Sequence, residues 1–186
     1  MAARALLLDR DGVVNVDHGY VGTVERFAFM DGILPLARRA VDLGYRIAIA
    51  TNQSGIARDR YGEAEFQALT GWMAERFAAA GAPLAAVFHC PYLPGAAVPA
   101  YDRDSVWRKP SPGMILEAER RLGLDLARSV FIGDQPTDMA AARAAGVGLR
   151  LLLDHSAPPC VDAHAVISTL AEAERFLTPP AASRPA

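Results

Sequence analysis

Five short apolar runs recur along the chain, at residues 5–8, 46–50, 85–88, 130–132 and 148–153, and each is about the length of a β-strand. Between them lie stretches whose apolar residues return every three or four positions. Over 33–43, Ile33, Leu34, Ala37 and Val41 share one side, and Gly44 supplies a stop. Over 63–80, Phe66, Leu69, Met73 and Phe77 repeat at helical spacing. Residues 112–122 and 136–145 each open on a proline, Pro112 and Pro136, which suits the first turn of a helix. Alternation of strand and helix predicts an α/β, three-layer Rossmann-like fold, with a mainly parallel central sheet covered on both faces. Ligands of such sheets bind outside the carboxyl ends of the strands. The residues just after each apolar run are therefore the place to look for chemistry.

With 186 residues the chain suits one domain and is short for two. The expected domain runs over 1–178, with the Pro/Ala/Ser-rich segment 179–186 as a disordered tail. One stretch, 90–109, breaks the rhythm, and a loop that long in a compact domain points to function or disorder. The net charge of −2, without a basic stripe, argues against a nucleic-acid partner. Two distant cysteines, Cys90 and Cys160, cannot form a disulfide framework, which suits a reducing compartment. No run approaches the roughly 20 apolar residues of a membrane span, and residues 1–9 lack a cleavable signal pattern. The expectation is a cytoplasmic protein without membrane contact.

Four motifs sit at or near the expected strand ends. Asp9-Arg10-Asp11-Gly12 places two carboxylates at i and i+2, and in extended backbone both would point the same way. A hard cation such as magnesium would offset their repulsion and would also bind a phosphate; an ordinary acidic turn is the alternative. Thr51-Asn52-Gln53-Ser54-Gly55 offers a hydroxyl and free backbone N–H groups, either a phosphate cradle or a polar turn. Arg108-Lys109-Pro110 offers two cations for phosphoryl oxygens, or two solvated charges. Gly133-Asp134-Gln135-Pro136-Thr137-Asp138 puts Asp134 where it could complete an oxygen-rich metal site with Asp9. Asp138 fits a helix cap as well as it fits function. Their succession favours one shared site over four coincidences.

With these motifs the chain resembles the haloacid dehalogenase superfamily of phosphatases over roughly residues 6–153. It is most similar to the D-glycero-D-manno-heptose 1,7-bisphosphate 7-phosphatases, relatives of the histidinol-phosphate phosphatases. The stretches that carry the resemblance are Leu8-Asp9-Arg10-Asp11-Gly12-Val13-Val14-Asn15, Val16-Asp17-His18-Gly19-Tyr20-Val21, Thr51-Asn52-Gln53-Ser54-Gly55-Ile56-Ala57-Arg58, Arg108-Lys109-Pro110 and Gly133-Asp134.

The resemblance implies a fold without a large cap domain and a sugar-phosphate substrate. Asp9 is the implied nucleophile, forming an aspartyl phosphate. Asp11 is the implied acid and base, and Thr51 and Lys109 hold the phosphoryl group. Magnesium would sit on Asp9, Asp134 and the backbone carbonyl of Asp11. Asp17, His18, Gly19 and Tyr20 match a substrate loop. Asn52, Gln53, Ser54, Arg108 and Gln135 are further expected substrate contacts, with Arg108 directed at a second phosphate. The alternative substrates are histidinol phosphate or another small phosphomonoester, and the expected working form is a monomer.

Two departures stand out. Members often carry zinc on a Cys-x-His and a Cys-x-Cys pair in the loop before Arg-Lys-Pro. Here Cys90 remains, but Tyr92, Ser105 and Trp107 replace the other three ligands. One thiolate cannot build a four-coordinate site, and His89, next to Cys90 in a strand, should point the other way. Zinc is predicted absent, with Tyr92, Leu93, Tyr101 and Trp107 expected to hold the loop by packing. Gln135 stands where many members have lysine.

Overall fold

β1 (Arg4–Leu8) is buried along its whole length in the computed structural model, which describes residues 2–153 and 160–179. Its side chains alternate between two cores. Ala5 and Leu7 enter one, Leu6 and Leu8 the other, as the two-residue period of a strand requires. Only a strand covered on both faces can carry so unbroken an apolar run. Burying each leucine contributes about 2 kcal/mol relative to exposure.

β1 lies inside a six-stranded sheet with β2 (Tyr45–Asn52), β3 (Leu84–Cys90), β4 (Val130–Gly133), β5 (Leu149–Leu153) and β6 (Ala165–Ile167). The order is β3-β2-β1-β4-β5-β6, and every pairing is parallel. One face carries α1 (Ile33–Asp42), α3 (Glu63–Ala79) and α6 (Leu170–Ala173), which bury Leu36, Phe77 and Leu170. The other carries α4 (Gly113–Leu122) and α5 (Pro136–Ala144), burying Ile115 and Met139. The sheet order reverses direction between β1 and β4, so a crevice opens at their carboxyl ends. The three-layer α/β architecture of the sequence reading is the one observed.

All five expected strands and four expected helices are present, with ends displaced by one or two residues. Among the described residues, three elements go beyond the sequence reading, apart from four single helical turns of three residues each. α2 (Ser54–Ala57) occupies what reads as a polar turn, and β6 and α6 are three and four residues long. None of the three is long enough to display a period.

Between β3 and α4 the chain is ordered, with a single helical turn at Pro99–Tyr101. The Arg103 guanidinium lies over the Tyr92 ring, 3.9 Å from its centroid. Tyr92 approaches Tyr101 at 6.0 Å, and Trp107 approaches Phe88 at 6.4 Å. The Leu93 N–H donates to the Tyr101 carbonyl at 3.1 Å, and that of Val98 to Ala57 at 3.0 Å. Cys90 is buried with its Sγ 4.0 Å from the Tyr92 carbonyl, in the core under α4 and α5. His89 turns to the opposite face and stacks on Phe66 at 4.2 Å. Tyr92 and Trp107 thus pack as aromatics where two zinc ligands are expected, Ser105 at a third accepts the Trp107 N–H at 3.1 Å, and with Cys90 as the one remaining ligand these residues do not fit a structural zinc site.

Arg4 holds the far end of the chain. Its guanidinium donates to the Leu43 carbonyl, to the Thr178 hydroxyl at 3.4 Å and to the Pro179 carbonyl at 3.2 Å. Pro179, the first residue of the expected tail, is therefore fastened, and 180–186 lie outside the described residues. No helix among the described residues is long and apolar enough to cross a membrane.

Candidate active site

The carboxyl ends of β1, β2 and β4 bring Asp9, Thr51 and Asp134 to one crevice, and Lys109 enters it from the loop before α4. Asp9 is 8% exposed. Its Oδ1 accepts from the Arg10 N–H at 2.7 Å and pairs with Lys109 Nζ at 2.9 Å, which leaves Oδ2 for other chemistry. Lys109 Nζ also pairs with Asp138 Oδ1 at 2.6 Å. The Lys109 backbone is pinned in both directions by Asn52. Its N–H donates to Asn52 Oδ1 at 3.0 Å, and its carbonyl accepts from Asn52 Nδ2 at 3.1 Å. Asn52, expected to touch substrate, lines the crevice but uses its amide to place the lysine.

Asp138 resolves the ambiguity of the sequence reading by serving twice. Its Oδ2 accepts the Gln135 N–H at 3.0 Å and closes a capping box at the start of α5, while its Oδ1 holds Lys109. Gly133 must be a glycine, because a Cβ there would overlap the Asp138 carboxylate.

Carboxylate oxygens of Asp9, Asp134 and Asp138 lie within 4.8 Å of one another. Among the described residues the close carboxylates are these three, and the Asp11 side chain, expected beside Asp9, is not among them. Asp134 Oδ2 accepts from the Gln135 amide at 2.9 Å, whereas Asp134 Oδ1 is buried without a hydrogen-bond partner among the described residues. A buried anionic oxygen without a donor calls for a cation. Gly12, at φ +82°, keeps the turn close, since a Cβ there would overlap the Asp134 carboxylate. The donor set is all oxygen, which fits a hard divalent cation such as magnesium.

The electrostatics agree. Burial, the largest influence, pushes Asp9 up to about 8, with Asp138 and Asp134 adding to it and Lys109 opposing. Burial likewise raises Asp134 to about 6. Burial pulls Lys109 downward, but Asp9 and Asp138 outweigh it and hold the ammonium up at about 12. The ion pair favours an Asp9 carboxylate while burial favours its acid form. With protein groups alone around it burial prevails, and a cation on the same oxygens would reverse that balance.

Asp11 is held by other donors. Arg10 Nη2 reaches both its oxygens at 3.0 Å, Asn15 Nδ2 reaches Oδ1 at 3.0 Å, and Gln53 Nε2 reaches Oδ2 at 2.9 Å. Asp11 lines a cleft of about 360 Å³ together with Asp17, Gly19, Tyr20, Asn52, Ser54, Gly55 and Tyr61. The Asp17–Tyr20 loop is braced by Arg26, which donates to the His18 and Gly19 carbonyls, both at 3.0 Å. Arg60 stacks over Tyr20 at 5.6 Å.

Four expected substrate residues are not among those lining this cleft. His18 is exposed and does not line the cleft. The Arg108 guanidinium donates to the Tyr92 carbonyl at 3.3 Å, bracing the loop. Gln53 is buried, and Gln135 is engaged with Asp134. Tyr61, absent from the sequence reading, joins the cleft wall.

Comparison with known proteins places this arrangement. Residues 106–173 match the family model described as "HAD-hyrolase-like". The chain is 45% identical over 182 residues to the D-glycero-alpha-D-manno-heptose-1,7-bisphosphate 7-phosphatase of Burkholderia mallei, covering 97% of this chain and 96% of that protein. It is 40% identical over 172 residues to the D-glycero-beta-D-manno-heptose-1,7-bisphosphate 7-phosphatase of Yersinia pestis, covering 90% and 92%. The crystal structure of D,D-heptose 1,7-bisphosphate phosphatase from B. bronchiseptica, complexed with magnesium and phosphate, superposes with a TM-score of 0.79 at 30% identity, covering 94% and 97%. Identity of this extent over almost the whole length shows that the chain belongs to the D-glycero-D-manno-heptose-1,7-bisphosphate 7-phosphatase family of HAD phosphatases.

Proposed function

We propose that the chain is a magnesium-dependent phosphatase that removes the 7-phosphate of D-glycero-D-manno-heptose 1,7-bisphosphate, leaving heptose 1-phosphate for nucleotide-activated heptose synthesis in the cytoplasm. It works as a single domain over 1–178 and as a monomer. The observation that carries the reading is the meeting of Asp9, Lys109 and Asp134 in one buried crevice, in a chain so similar to named heptose bisphosphate phosphatases.

Asp9 attacks phosphorus through its carboxylate as the P–O bond to the sugar breaks, giving an aspartyl phosphate. Asp11 delivers a proton to the departing sugar oxygen. It then takes one from the water that hydrolyses the intermediate and restores Asp9. Thr51 and Lys109 hold the phosphoryl oxygens, and Asn52 and Asp138 hold Lys109. The carboxylates of Asp9 and Asp134 and the carbonyl of Asp11 would hold the magnesium ion. When bound, it supplies positive charge that lets an anionic nucleophile approach an anionic phosphate. The cleft beside Asp11 takes the sugar, with Asp17, Gly19, Tyr20 and Ser54 along it.

Phosphate release with magnesium from heptose 1,7-bisphosphate, heptose monophosphates and histidinol phosphate tests this reading. The bisphosphate is expected to give the highest kcat/KM and to lose only its 7-phosphate. Preference for histidinol phosphate or for a monophosphate would overturn it.

Metal linkage gives a second test. Because Asp9 and Asp134 are raised from 3.8 to about 8 and about 6, their burial favours the fold most below pH 4. That contribution is lost as pH rises through the folded values. Magnesium binds the deprotonated forms and competes with protons. The rise in Tm on adding magnesium is therefore expected to be larger at pH 8 than at pH 6. An equal rise at both, or none, would contradict the proposed ligand set.

A further inference from the structure

Gln53 occupies a place that its expected role as a substrate contact does not explain. It is 1% exposed, and all of its amide is engaged inside the protein. Nε2 donates to Asp11 Oδ2 at 2.9 Å and to Thr51 Oγ at 2.8 Å, while Oε1 accepts from the Tyr61 hydroxyl at 2.5 Å. Resting on the roles proposed above for Asp11 and Thr51, we infer that Tyr61 and Gln53 are positioning residues that fix the direction of the hydrogen bonds reaching both.

The direction follows from donor and acceptor chemistry. The two ends of an amide are not equivalent, since one only donates and the other only accepts. The Tyr61 phenol is pushed up to about 12, chiefly by burial, so it keeps its proton and its O–H can donate. That O–H takes the Oε1 end of Gln53 and turns the NH2 end toward Asp11 and Thr51. One amide hydrogen serves each. Because Thr51 Oγ accepts from Gln53, its own hydroxyl hydrogen is free to point away and donate to a phosphoryl oxygen. Asp11 Oδ2 is tethered by the same NH2 group, so the phosphate-holding hydroxyl and the acid/base carboxylate share one anchor.

Two glycines build the slot for Tyr61. A Cβ on Gly22 or on Gly55 would overlap the Tyr61 ring, and neither glycine has a positive φ. Backbone conformation does not demand glycine at these positions; room for the ring does. The slot lies at residues flanking the substrate loop and the hydroxyl turn, so the ring ties both segments to the cleft wall that it lines.

Tyr61→Phe keeps the ring and removes one oxygen. It is expected to lower kcat by roughly five- to fifty-fold, from one lost buried hydrogen bond and the misplacement that follows. KM should stay within about twofold if the loss is realised after binding. Gln53→Glu sets a second carboxylate against Asp11 and is expected to cost more. The decisive readout is coupling: in an Asp11→Asn or a Thr51→Val background, Tyr61→Phe should cost clearly less than it does alone. A Tyr61→Phe enzyme with wild-type kcat overturns the relay. So does a full, additive loss in both backgrounds, or a fall in Tm with kcat of the folded enzyme unchanged. A wild-type chain that releases no phosphate from any sugar phosphate overturns the functional reading itself, whereas an active wild type with an indifferent Tyr61→Phe overturns the relay alone.

Discussion

Asp9→Asn is expected to lower kcat by on the order of 10⁵-fold or more, the scale at which removal of a nucleophile leaves only binding and electrostatic effects. An amide cannot form the acyl phosphate, so the route through a covalent intermediate closes. The fold should not suffer. Burial already pushes Asp9 up to about 8, so a neutral side chain of the same shape relieves desolvation. Its oxygen can still accept from the Arg10 N–H and from Lys109, as the carboxylate does. Lys109 keeps a full ion pair with Asp138. The melting temperature at neutral pH is therefore expected to be unchanged or higher. Single-turnover phosphate release and thermal unfolding of the same preparation check both halves. Near-native turnover would show that another group attacks phosphorus.

Asp138→Ala carries the largest expected loss of stability. It removes one of two carboxylates around a buried ammonium and also the side-chain cap of α5. Breaking a buried charge pair costs about 3–5 kcal/mol. For a domain of this size that lowers Tm by roughly 6–20 °C. Activity should fall as well, because Lys109 then keeps one ion pair, with Asp9, among the described residues, besides the Asn52 clasp on its backbone. Asp138→Asn keeps an acceptor for the Gln135 N–H and should be milder. A Tm within 2 °C or so of wild type for Asp138→Ala would mean that Lys109 draws its stability from elsewhere.

The contrast between Asp9 and Asp138 also shows what a sequence can disclose. Asp9, Thr51, Lys109 and Asp134 are readable because each follows an apolar run, or stands in a short motif beside one, and strand ends converge in a parallel sheet. For Asp138 the sequence leaves capping and function equally open, and its hold on Lys109 is not legible because the two meet only in the fold. Tyr61 and Gln53 meet through a turn whose helix, α2, is only four residues long and leaves no periodic signature. Arg108 reads as a phosphate ligand by its motif, yet the loop built by Tyr92, Arg103 and Trp107 turns its guanidinium to a carbonyl. β6 eludes a reading by pattern for a simpler reason: three residues, Ala165–Ile167, cannot display an alternation. What local chemistry dictates is legible; what depends on which segments meet is not.

The clasp of Arg4 on Thr178 and Pro179 fixes where the far end of the described chain leaves the molecule. Arg4 opens β1, and Asp9 follows its last residue, so five residue steps along the strand separate the two. At about 3.3 Å per residue that is roughly 17 Å through the centre of the sheet. A reporter, an affinity handle or a solid support joined beyond residue 179 starts from the amino ends of the strands, on the side away from the mouth through which a sugar phosphate enters. An enzyme tethered in this way keeps its working face toward the solution.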